Sequence, residues 1–84
     1  MGRRHQHTLE AIFSRPTPAS ITWDEVVSLL NHLQATVSER AGSRVGVELN
    51  GRFALIHRPH PQKEVKRTSI RDIRAFLEGA GITP

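Results

Sequence analysis

The pair Asn50-Gly51 constrains this chain more than any other two residues. Both positions of a two-residue hairpin loop need positive φ, and Asn and Gly adopt it at least cost. The flanking runs, residues 44–49 and 52–57, are rich in β-branched and apolar side chains. A two-residue turn then fixes the register: Leu49 opposite Arg52, Glu48 opposite Phe53, Val47 opposite Ala54, Gly46 opposite Leu55, Val45 opposite Ile56 and Arg44 opposite His57. Side chains alternate across a strand, so Val45, Val47, Leu49, Ala54 and Ile56 share one face, which the rest of the chain must cover. The other face carries Arg44, Gly46, Glu48, Phe53, Leu55 and His57. Phe53 and Leu55 leave that face partly apolar, to be covered by a protein partner or by an N-terminal arm folded over it.

Upstream, a strand over about residues 36–40, broken at Gly42-Ser43, completes a three-stranded antiparallel meander. The stretch ITWDEVVSLLNHLQ before it is a helix: Thr22 and Glu25 form a capping box, with Ile21 and Val26 as its hydrophobic staple. Trp23, Val26, Val27, Leu30 and Leu33 recur at helical spacing, which places the tryptophan in the core. Downstream, Ser69 with Asp72 resembles a second capping box. Ile70, Ile73, Phe76, Leu77 and Ala80 give that second helix one apolar face, closed by Gly79 and Gly81. At the N-terminus Thr8 caps a short helical piece, residues 9–13, which Pro16 and Pro18 stop and which packs through Leu9, Ile12 and Phe13. His5 and His7 precede it on an end read as frayed and solvated. The expectation is an α+β fold of order α-β-β-β-α, with both helices on one sheet face. It divides into an arm, residues 1–20, and a domain, residues 21–84.

A chain of 84 residues buries one modest core, so any site lies on a single small domain. Twelve Lys+Arg against 8 Asp+Glu give a formal charge of +4, which favours polyanionic partners, nucleic acid first. With no cysteine there is no disulfide framework and no thiolate nucleophile, and a reducing cytoplasm is the expected compartment. The basic N-terminus leads into no long apolar run, so neither a signal peptide nor a membrane span is expected.

The helix, AGSRVGVEL, HPQKEVKR and TSIRDIRAFLEGAGI together resemble the HicA family, small bacterial toxins of toxin-antitoxin pairs that cut messenger RNA. The match runs from about Thr22 to Ile82. The resemblance implies a fold like the double-stranded RNA-binding domain, and a ribonuclease that needs no metal or other cofactor. It also implies single-stranded RNA as substrate and a HicB-like antitoxin as partner, covering the RNA face. The family's Gly-Ser-His reads Gly42-Ser43-Arg44 here, so its catalytic histidine has no counterpart at that position. His60, three residues before Lys63, carries over by position from a histidine that many members have after the third strand. His57 does not carry over by motif, but the register puts it opposite Arg44.

Cutting RNA with side chains alone needs a base for the 2′-hydroxyl, an acid for the leaving oxygen and positive charge for the phosphate. An imidazole, with an ordinary pKa of about 6.5, serves as either acid or base near neutrality, and a guanidinium grips phosphate bidentately. His57 and His60 are therefore the catalytic candidates, with Arg44 as phosphate clamp and Arg58, Lys63, Lys66 and Arg67 as the RNA grip. The last three gather before the N-terminus of the closing helix, whose partial positive charge adds to theirs. Arg71 and Arg74, on its polar side, extend the same patch. Taken alone, the two histidines are better accounted for as solvated loop residues spaced by Pro59 and Pro61. A zinc site is disfavoured: two imidazoles supply half a ligand shell and there is no cysteine. Ser43 and Ser69, in a strand break and a helix cap, lack the neighbours of a nucleophile. A non-catalytic RNA-binding or antitoxin-binding module and a protein-interaction domain built on Phe53 and Leu55 stand as the alternatives.

Overall fold

The computed structural model describes residues 2–84. Three helices and three strands follow in the order α1 (Arg3–Phe13), α2 (Trp23–His32), β1 (Thr36–Arg40), β2 (Arg44–Leu49), β3 (Arg52–His57) and α3 (Arg67–Gly79). The strands form one antiparallel sheet in the order β1-β2-β3. From α2 onward this is the expected α-β-β-β-α chain, an α+β fold consistent with the double-stranded RNA-binding type. The hairpin register is as the Asn50-Gly51 turn dictates, from Leu49 opposite Arg52 to Arg44 opposite His57. Asn50 and Gly51 have φ of 51° and 79°. The Asn50 side chain also donates to the Ala80 carbonyl at 2.8 Å, tying the turn to the end of α3.

Val45, Val47, Leu49 and Ile56 are buried together with Val26, Leu29, Leu30, Ile70, Ile73, Phe76 and Leu77 in one core, so α2 and α3 cover the same face of the sheet. Glu25 N–H donates to Thr22 Oγ1 and Thr22 N–H to Glu25 Oε1, the expected capping box. α2 ends with Gln34 N–H on the Asn31 carbonyl and Ala35 N–H on the Leu30 carbonyl, a Schellman closure that holds Gln34 at φ 65°. α3 closes in the same way through Gly81, at φ 82°.

On the open face Phe53 and Leu55 are 55% and 49% exposed. Gly46 is buried beneath this face, because Phe53, Arg40 and Ser38 close over it. A Cβ built there meets Ser38 Oγ at 3.0 Å and Phe53 Cε1 at 3.2 Å, so only glycine lets them approach. Arg40 lies over the Phe53 ring, 5.5 Å from its centroid, a cation–π contact.

Six readings of the sequence are corrected. α1 begins at Arg3, not at Leu9, and the N-terminal end is not a frayed one: His5 stacks on His32 with ring centroids 4.3 Å apart, and its Nε2 lies 2.9 Å from Ser28 Oγ. Thr8 is not a cap. It is buried inside the helix, where its hydroxyl bonds back to the Arg4 carbonyl at 3.2 Å. The arm packs against α2 and α3 through buried Leu9 and Ile12 and leaves the open sheet face uncovered. α3 begins at Arg67 with Lys66 at its N-cap, so Ser69 lies in the first turn and the Ser69/Asp72 box does not form.

The other two corrections concern burial. Trp23 is only half-buried, packed against the edge of the core, while Leu29, which the expected stripe left out, is fully buried. Arg74 is 6% exposed and lies under the arm, not on the polar side of α3. Its Nε donates to the Ile12 carbonyl at 2.9 Å, and its Nη2 to the Ser14 carbonyl at 3.2 Å and to Thr17 Oγ1 at 2.9 Å. It thereby satisfies carbonyls that the C-terminus of α1 leaves without intrahelical partners. Among the described residues no helix is long and apolar enough to cross a membrane.

Candidate functional site

The chain leaves β3 at His57 and runs without regular structure to Lys66. Both ends of this connector are fixed. Arg58 N–H donates to the Ser43 carbonyl at 2.9 Å, holding the start against the 3₁₀ turn of residues 41–43. Trp23 N–H donates to the Lys63 carbonyl at 2.9 Å and Val65 N–H to the Ile21 carbonyl at 2.8 Å, pinning the end beside the start of α2. Val65 is buried, which anchors the segment further.

Between these anchors lies an open groove of about 490 Å³, walled by the connector on one side and the first turn of α3 on the other. His57 and His60 both line it, with Arg58 and Lys66 beside them. Gln62, Thr68 and Ser69 contribute polar lining that the sequence reading missed. For Thr68 and Ser69 the signal was the helix start: with α3 beginning at Arg67, they fall in its first turn and face the connector.

The electrostatics of this groove follow from the helix end. No side chain caps α3 and its first turn holds no acidic residue, so its positive end is not offset locally. Lys66 stands at that end. Phosphate oxygens are natural ligands for such a set of unbonded N–H groups and cations.

The remaining candidates are spread around the groove. Arg67 is in the first turn of α3, but its Nε donates to the Thr17 carbonyl at 3.0 Å, and it lines an adjoining hollow with Lys66 and Thr68. Lys63 lies on the other side of the connector, in a slot with Trp23 and Arg58. Arg44 is opposite His57 in the ladder, yet its Nε donates to the Ala41 carbonyl at 3.0 Å and it does not line the groove. Arg58 is ion-paired with Glu39 of β1 and touches both the groove and the slot.

The family model described as HicA toxin of bacterial toxin-antitoxin matches residues 23–82, from the first residue of α2 to just beyond α3. The match takes in the whole sheet and the groove, and leaves residues 1–22, with α1, and residues 83–84 outside. No curated protein and no solved structure gives a significant match.

Proposed function

The chain belongs to the HicA toxin family of bacterial toxin-antitoxin systems, and from that premise we propose that it is a cytoplasmic endoribonuclease that cuts single-stranded messenger RNA without a metal ion. The observation that carries this reading is the shared groove: His57 and His60 line one cleft with Arg58 and Lys66 at the open N-terminus of α3. One imidazole takes the proton of a 2′-hydroxyl, and the freed oxygen attacks the adjacent phosphorus. The P–O5′ bond breaks and the second imidazole protonates the leaving oxygen, giving a 2′,3′-cyclic phosphate and a 5′-hydroxyl. Arg58 and Lys66 offset the charge that builds on the phosphate oxygens, with the end of α3 behind them. Arg44, turned toward Ala41, acts at most on flanking phosphates. Lys63 and Arg67 extend the grip along the strand.

The partner in this reading is a HicB-type antitoxin laid on the open sheet face. Phe53 and Leu55 supply an apolar centre there, and Arg40, Arg44 and Glu48 supply a polar rim. His57 is on the same face, so an occupant would also close one side of the groove. The test is incubation of the purified, partner-free chain with a long single-stranded RNA in excess EDTA. Fragments ending in 2′,3′-cyclic phosphate, and resistance of a 2′-deoxy substrate, are expected. Intact RNA that is retarded on a gel would instead favour a binding module without cleavage, the reading that the Arg44 substitution in the family motif suggests.

A further inference from the structure

A second, smaller slot of about 230 Å³ opens on the far side of the connector from the histidine groove. Trp23, Asp24, Arg58, Pro59, Gln62 and Lys63 line it, and Arg58, Pro59 and Gln62 also line the groove, so the two share a wall. The slot is smaller than the roughly 300–1,000 Å³ of sites that hold drug-sized ligands, and it suits one flat ring.

Trp23 is the chain's only tryptophan and is half-buried at the first position of α2. Its backbone is held twice, by the capping box before it and by the bond from its N–H to the Lys63 carbonyl. With its backbone held and its side chain half-buried against the core, Trp23 lines the slot together with two cations, Arg58 and Lys63, and offers an indole for stacking. Gln62 and Asp24 add hydrogen-bonding groups at the rim that can meet base edges. The wider cleft that Trp23 also lines, about 710 Å³, sets Asp24 and Glu39 against Arg58 alone among lysines and arginines, whereas the slot sets Arg58 and Lys63 against Asp24 and is better suited to a polyanion.

We propose that the slot between Trp23 and the 58–63 connector binds one unpaired base of the RNA strand next to the scissile phosphate, with the base stacked on the Trp23 indole. The inference rests on the RNA reading above and adds to it a subsite for base selection. The strand would cross Arg58, leaving its phosphates in the histidine groove and one base in the slot. Trp23 is then a substrate-binding residue.

The sequence makes the test direct, because with one Trp and no Tyr the emission of the protein reports Trp23 alone. The full chain is titrated with a fluorescein-labelled 2′-O-methyl hexanucleotide, which the proposed chemistry cannot cut, and binding is followed by anisotropy. An unlabelled copy is followed by tryptophan emission. Saturable quenching with the same midpoint as the anisotropy change is expected, together with ~10-fold weaker binding for Trp23→Leu, the scale of one lost base–aromatic stack. Anisotropy that rises while the emission stays constant would overturn the stacking site and leave the RNA reading standing, whatever the variant does. No anisotropy change at low salt would overturn both.

Discussion

Replacing Arg74 by Met tests whether the arm is held by a buried arginine, against the sequence expectation that this residue is a surface cation for RNA. The guanidinium makes three hydrogen bonds, to Ile12, Ser14 and Thr17. Ser14 is exposed, so water replaces Arg74 there at little cost, whereas Thr17 is 7% exposed and the bond to the Ile12 carbonyl is buried. Hydrogen bonds to a charged group contribute about 1.5–3 kcal/mol each, and acceptors left buried and unpaired cost about 1–3 kcal/mol. Losing two such bonds, partly offset because the variant no longer buries a charge, gives a net destabilisation of about 3 kcal/mol. A domain of this length has roughly 4–13 kcal/mol in total at 0.05–0.15 kcal/mol per residue. With a urea m-value of about 1–1.5 kcal/mol per molar, the unfolding midpoint falls by about 2–3 M. Arg71→Met, on the exposed side of the same helix, is the control and stays within ~0.5 kcal/mol. An Arg74→Met midpoint equal to that control, with weakened RNA binding instead, would refute the structural role.

Gln34→Gly relieves a left-handed position at the end of α2 and raises stability by about 0.5–1 kcal/mol in urea unfolding; an unchanged or lower midpoint would count against strain there. Partial burial, with the nearby charges of His32 and Arg4, lowers the pKa of His5 from its ordinary 6.5. The folded chain therefore binds this proton less readily than the unfolded one, and stability present above pH 6.5 is lost as pH falls through the lowered value. Urea midpoints measured at pH 7.5 and pH 5 should differ less in His5→Gln than in the parental chain, and an equal difference in both would remove His5 from the account. Lys66→Ala lowers RNA affinity at low salt and reduces the slope of log K against log salt by ~0.7, one phosphate contact's share on a single strand; an unchanged slope would place Lys66 off the RNA path.

The hairpin and its faces were legible because a two-residue turn leaves the register no freedom, and because α2 announces its start through residues 22 and 25. The arm was not, since α1 has no side-chain cap and Thr8 is of a type that usually caps; what makes residues 3–8 helical is tertiary, the docking of Leu9 and Ile12 and the contact of His5 with His32. Arg74 was misread for a similar reason: its place on α3 looks polar until α1 covers it. For the site, sequence spacing brought His57 and His60 near one another, and the fold adds that both line a groove at the start of α3. Trp23 fitted an apolar stripe, and only the path of the connector beside the start of α2 shows that it lines a slot there.

The central claim is that His57 and His60 act on one phosphate in the groove at the end of α3. The measurement that tests it most directly is single-turnover RNA cleavage in excess EDTA by the parental chain and by His57→Ala and His60→Ala, each checked for an unchanged urea midpoint. Loss of cleavage in both variants with RNA binding retained is the predicted result. Cleavage that persists in both, at the parental rate, would contradict it.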